Sequence, residues 1–372
     1  MNIFEPSHLK EKIDSVLNHL IGLEKQAFEA DVDSWRGFIT RDFGIEHWDW
    51  PQGVGLCSME YLQKYDMHTD FDKFFKNWVE TNKVAGLPSA NVNTTAPFIM
   101  LLALGLRTND EELLQMCTER AEFLMNELPK TREGGFQHTT TDIYDKNGII
   151  LNEEQLWADT FFMAVLFLAQ AGKAFNNLAW MEEAIYQISL HLKYLQDKKS
   201  GLLYHGWSFD RNDNFGSIFW CRGNCWFTFG ILLLLEALAD VIAPSTERMI
   251  LNAFRAQVDG LMKLQGETGL WHTVLTDSES YEETSGTAGF VAGIYHGMRK
   301  GILDETYLDG AEKALSAIIE NIEDNGNVLN VSGGTGMGMD AEHYKNIIIA
   351  SMPYGQALTA MALIEARAFY EN

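Results

Sequence analysis

Residues 201–207 read GLLYHGW. The same ending occurs upstream as GGFQHT (134–139) and downstream as TGLWHTV (268–274), and the histidines His138, His205 and His272 are 67 residues apart in both intervals. A fixed period of that size marks a repeated supersecondary unit. Between the loops, EEQLWADTFFMAVLFLAQAG, NLAWMEEAIYQISLHLKYLQ, WFTFGILLLLEALADVI and ERMILNAFRAQVDGLMKLQ place apolar residues at helical spacing. In each unit one helix is apolar nearly all round and the next is amphipathic, so the first is inner and the second outer. Dividing 372 residues by this period gives about 5.6 units, or roughly six helical hairpins. The expected fold is all-α, an (α/α)6 barrel, with its Gly- and aromatic-rich loops gathered at one end, where ligands bind.

No Pro-, Ser- or Gly-rich linker divides the chain, so a single domain over 1–372 is expected. The first residues carry no apolar core followed by a small-residue cleavage site, and no run reaches the roughly 18 uninterrupted apolar residues of a membrane span. A soluble, cytoplasmic protein without a membrane partner is the expectation. With 52 acidic against 28 basic residues the formal charge is −24, which argues against nucleic acid and anionic membrane surfaces. Cys57, Cys117, Cys221 and Cys225 are too few for a disulfide framework, and no Cys/His pair stands at zinc-finger spacing. We expect reduced, structural cysteines, no metal and no cofactor.

Several short stretches carry a resemblance. HWDWPQGVG (47–55), GGFQH (134–138), WADTFFMA (157–164), YHGW (204–207), WCRGNCW (220–226), GLWHTVL (269–275) and EETSGTAGF (282–290) follow one another in the order of the unsaturated rhamnogalacturonyl hydrolases. The chain resembles that family, glycoside hydrolase family 105, from about residue 40 to 290. The resemblance implies the same (α/α)6 fold. It also implies water addition across the C4=C5 double bond of an unsaturated uronic acid, after which the hemiketal collapses and expels the neighbouring sugar. The implied partner is a small oligosaccharide, with unsaturated galacturonyl-rhamnose from pectin or rhamnogalacturonan breakdown as the family default.

Asp159 is the candidate catalytic residue. The pattern from Asn152 reads as a capped helix, which places Asp159 about two turns in, on one face with Leu156, Met163 and Leu166. A carboxylate among apolar neighbours raises its pKa or finds a charged partner. A raised pKa lets one acid donate its proton to C4 and then deprotonate the water attacking C5. The structural alternative is an acid bonded to loop amides.

In WCRGNCW, Arg222 offers a planar fork for the substrate carboxylate, Trp220 and Trp226 are the expected stacking walls, Gly223 permits close approach, and Asn224 is placed to cap the next helix. The structural alternative is an arginine lying between core tryptophans against a carboxylate. His138 and His205 match the positions that contact substrate in the family, Trp157 precedes the acid, and Trp50 of WDWPQG lines the pocket or packs in the core. His272 has only the repeat behind it and is read as structural. Many relatives have an aspartate where this chain has Asn93; an amide binds hydroxyls or water but exchanges no proton, and here it also suits a cap for the helix that begins near Pro97. Rival classes are a sugar epimerase, which needs two basic histidines on opposite faces of its substrate, a zinc toroid like the lanthionine cyclases, whose Cys-His-Gly motif is missing, and an inactive sugar-acid-binding protein.

Overall fold

The computed structural model describes residues 3–23, 43–66, 68–142 and 144–371. Outer and inner helices alternate in pairs along them: α1 (Pro6–Ile21) and α2 (Trp50–Tyr65), α3 (Asp72–Ala85) and α4 (Phe98–Thr108), α5 (Glu111–Asn126) and α6 (Leu166–Ala174), α7 (Leu178–Leu195) and α8 (Cys221–Leu238), α9 (Pro244–Met262) and α10 (Thr284–Arg299). The last pair is α11 (Leu308–Glu320) and α13 (Pro353–Tyr370), with the short α12 (Ala341–Lys345) in the connection between them. The difference between the two classes follows their composition. α8 is buried at every position except Glu236, whereas α11 buries one stripe of Ala311, Ala314, Leu315, Ile318 and their neighbours. By length and composition α8 could cross a membrane, but here it is a core helix of the inner ring.

Ring closure comes from α13, which packs between α10 and α2 with α1 behind it. A contiguous apolar core runs from Leu9 to Ala366. The (α/α)6 barrel expected from the period is the fold observed.

The repeated loops are tight turns whose glycines Gly134, Gly201 and Gly269 take φ of 78°, 79° and 108°. A fourth turn, at Gly326 with φ 84°, continues the series without a histidine. These turns lean on the next outer helix. A Cβ on Gly201 would lie 2.1 Å from the Ala256 carbonyl of α9, and one on Gly326 would lie 2.1 Å from the Ser15 carbonyl of α1. The last turn therefore joins the end of the chain to its beginning.

Short antiparallel strand pairs cover the N-terminal ends of the inner helices: β1 (Thr139–Thr141) with β2 (Ile149–Leu151), β3 (Gln155–Trp157) with β4 (Gly206–Ser208), and β5 (Trp271–His272) with β6 (Glu282–Glu283). Strand β3 corrects one expectation. The helix does not begin near Asn152, whose Nδ2 donates to the His138 carbonyl; residues 155–157 pair with the second repeat loop, and helical structure starts at Thr160 with a π-turn over Phe161–Val165. Asp159 thus stands at the mouth of a helix, not two turns inside it.

Candidate active site

A cavity of about 420 Å³ opens at the N-terminal ends of the inner helices. Its lining includes Trp50, Asn93, His138, Trp157, Asp159, Trp220 and Arg222, so seven of the nine sequence candidates share one wall. The other two, His205 and Trp226, are buried and touch Asp159 directly.

Asp159 is fixed through both oxygens. Trp226 Nε1 donates to Oδ1 at 3.1 Å, and His205 Nε2 lies 3.1 Å from Oδ2. Its side chain is 16% exposed. Burial is the largest single influence and pushes the carboxyl pKa up, but the His205 hydrogen bond and the surrounding positive charge, Arg222 included, together outweigh it, and the net shift is downward. The raised pKa expected from the sequence is therefore corrected: in the ligand-free protein Asp159 is held as a carboxylate. Trp226 is likewise no stacking wall; its ring is fully buried and its N–H is the acid's partner.

Arg222 has no exposed surface, and its fork is already engaged. One terminal nitrogen donates to the Ser332 carbonyl at 2.9 Å and to the Ser332 hydroxyl, the other donates to the Gly333 carbonyl at 2.6 Å, and Glu283 lies 4.0 Å away. The guanidinium is sandwiched between Trp220, 4.4 Å from its ring centroid, and Tyr354 at 4.6 Å, and Trp50 stacks on the far face of Tyr354. The sandwich is thus Trp220 and Tyr354 rather than the two tryptophans of the motif. Arg222 presents charge at the cavity wall while its fork holds the 332–333 backbone. Asn224 caps nothing; it grips Leu203 through the backbone N–H and carbonyl, tying α8 to the second repeat loop.

His138 stacks on Trp157 at 4.3 Å and 8°, and its Nδ1 meets Thr160 Oγ1 at 3.1 Å. Burial lowers its pKa to about 4, so it is neutral at physiological pH and serves as a polar contact without charge. His272 is held by the Ser280 carbonyl at 2.5 Å and is absent from the cavity wall, which matches the structural reading. Asn93 opens a 3-10 turn (Asn93–Thr95) and caps no helix: α4 starts after Pro97 without a side-chain cap. All four cysteines are free and buried.

The model of glycosyl hydrolase family 88 matches residues 33–370. This chain belongs to that family. Among curated relatives, the unsaturated rhamnogalacturonyl hydrolase YesR of Bacillus subtilis is 31% identical over 357 residues, covering 95% of each chain. An unsaturated 3S-rhamnoglycuronyl hydrolase of Alteromonas is 34% identical over 46% of this chain. Among solved structures, a possible member of glycoside hydrolase family 105 from Salmonella enterica superposes with a TM-score of 0.89 at 37% identity, over 98% of this chain and 95% of that one. The resemblance drawn from the motifs therefore holds.

Sequence reasoning missed several residues of the cavity wall in this family 88 chain. Asp49 lines the cavity as a second carboxylate, spending Oδ1 on the Trp50 N–H at the head of α2. The segment after Ser332 supplies Gly334, Thr335, Gly336, Met337 and Met339 to the wall, and Phe215 joins them from a loop where it holds φ of 56°. A non-glycine φ of that sign is a strained conformation that clusters at functional sites. The run SGGTGMG was the one available signal for the 332–338 wall.

Proposed function

We propose that this glycoside hydrolase adds water across the C4=C5 double bond of an unsaturated uronyl oligosaccharide, with Asp159 as its acid and base. The whole chain, 1–372, acts as one barrel domain. The observation that carries the reading is the double clamp of Asp159 by Trp226 and His205 at the wall of an aromatic cavity that also holds the charge of Arg222.

A uronate carboxylate entering beside Arg222 offsets its positive charge and brings a negative one towards Asp159. Both changes raise the Asp159 pKa, so the substrate itself favours the protonated acid. Asp159 then gives its proton to C4, water bonds to C5, and the regenerated carboxylate takes the proton that this water releases. The C5 hemiketal opens by breaking its bond to the ring oxygen, which takes up a proton and leaves a hemiacetal at C1. Collapse of that hemiacetal to an aldehyde releases the attached sugar as an alcohol. Asn93 and His138 are placed to bond hydroxyls or water, Trp50 and Trp157 line the cavity with aromatic surface for the sugar, and Trp220 is spent on holding Arg222.

Rhamnose is the proposed leaving sugar. The names of the relatives support it, and so do Ile150, Phe215, Met337 and Met339, which give the wall an apolar portion suited to the methyl group of a 6-deoxy sugar. The test is incubation with unsaturated disaccharides released by several polysaccharide lyases. Loss of the ultraviolet absorbance of the C4=C5 bond, fastest with the rhamnose-linked uronide, is expected. Binding with no loss from any of them would mean an inactive binding protein, and interconversion of intact sugars would mean an isomerase.

A further inference from the structure

Behind the acid lies a group outside the cavity wall. Tyr344, on α12, has no exposed surface, and its hydroxyl meets His205 Nδ1 at 2.6 Å while accepting the Gly338 N–H at 3.1 Å. The alternative acceptor for its own proton, Met337 Sδ, is 3.9 Å away. A hydroxyl has one proton, and the distances send it to Nδ1. Nδ1 is then an acceptor, so in neutral imidazole the ring proton sits on Nε2 and points at Asp159 Oδ2.

We propose that Tyr344 is a positioning residue for the reaction: its hydroxyl fixes His205 as the Nε2–H tautomer, so that Asp159 always faces a donor and never a lone pair. The proposal rests on Asp159 being the acid and base. Without the Tyr344 donor the imidazole gains access to the other tautomer, in which Nε2 accepts and Asp159 must be protonated to meet it. The remaining groups that act on Asp159, namely Trp226, neutral His138 and Arg222, do not touch Nδ1. Burial pushes the Tyr344 pKa well up, which keeps it an O–H donor across the working range. The same helix continues from the wall segment that carries Gly334 to Met339, so the tautomer depends on that segment being seated.

Nitrogen-15 NMR of histidine-labelled, substrate-free protein tests the tautomer without relying on any activity. An Nε2–H signal for His205 with an acceptor-type Nδ1 is expected; an Nδ1–H signal overturns the proposal. Kinetics on the rhamnose-linked unsaturated disaccharide then test the role. Tyr344→Phe should lower kcat about tenfold, the worth of one lost hydrogen bond, with KM little changed and the single His205 tautomer lost. In a His205→Gln background, which has no Nδ1, Tyr344→Phe should cost nothing further. An equal loss in both backgrounds, or an unchanged kcat in the first, overturns the positioning role. Inactivity of the parent on every unsaturated uronide would instead refute the proposed function and leave the tautomer result standing.

Discussion

Trp226 Nε1 reaches Asp159 Oδ1 across 67 residues of sequence, one full period of the barrel repeat, from a ring with no exposed surface. The donor is rigid because the whole indole is packed, so it fixes the acid more firmly than a solvent-facing group would. Trp226→Phe keeps an aromatic ring and removes the N–H. A hydrogen bond to a charged group contributes about 1.5–3 kcal/mol, so the carboxylate should be destabilised and its pKa should rise. We expect the fold to survive, kcat to fall about tenfold or more, and the basic limb of the kcat profile to move upward. An unchanged pH profile would remove Trp226 from the electrostatics of the acid.

Asp159→Asn preserves the shape and an acceptor for Trp226 but ends proton exchange. General acid and base catalysis is worth about 10²–10⁴-fold, so turnover should fall by at least about 100-fold, with substrate affinity by calorimetry kept within about threefold. Activity within about tenfold of the parent would exclude Asp159 as the acid.

Arg222→Lys separates charge from shape. Lysine keeps the cation but cannot hold the Ser332 and Gly333 carbonyls together while stacking between Trp220 and Tyr354. Disrupting a buried charge network of this kind costs about 3 kcal/mol. Both the unfolding free energy in denaturant and the affinity for the uronate should therefore fall, since the 334–339 wall hangs from the same backbone. A loss of affinity with unchanged stability would show that Arg222 acts on substrate alone.

The period of the loops made the barrel legible because each turn needs the same glycine and the same packing on the next outer helix. The fourth turn breaks the period: Gly326 follows Gly269 by 57 residues, and Asn330 occupies the histidine position. The candidate site residues were legible as types but not always in their roles. Periodicity extended the helix back to Asn152 because it cannot register the pairing of Leu156 with Trp207, which turns that stretch into a strand. The partners of Arg222 and His205 lie 110 and 139 residues away, in a segment without helical pattern or repeat, and no local rule connects them.

At the opposite ends of the inner helices, Glu365 of α13 is fully buried and accepts from Tyr61, Tyr65, His296 and Arg299. Burial pushes its pKa up, but His296 and Arg299 outweigh this and bring it down to about 2 from an ordinary 4.5. A depressed acid stabilises the fold above its unfolded pKa, and that contribution is lost as pH falls through the folded value. A shift of this size corresponds to about 3 kcal/mol. Glu365→Gln should be clearly less stable than the parent at pH 7, with the difference shrinking between about pH 4.5 and 2. Unfolding free energies from denaturant titrations across that range give the comparison, and a gap that does not change with pH would assign the loss to packing.

Asn93 lines the same cavity as Asp159 and is largely buried, so a new charge there would be poorly screened. Asn93→Ala removes a positioning amide and should lower the rate by about tenfold, the worth of one hydrogen bond. Asn93→Asp adds a carboxylate to a wall that already holds Asp49 and Asp159. Like charges resist joint ionisation, so the group should titrate as a coupled set with a raised apparent pKa. A reaction that begins with protonated Asp159 would then persist to higher pH, and the basic limb of the kcat profile should move upward while the activity at its optimum stays near or below that of the parent. If the parent turned over no unsaturated uronide and Asn93→Asp gained activity, two carboxylates would be required. The natural asparagine would then mark a chain that holds its sugar acid without cleaving it.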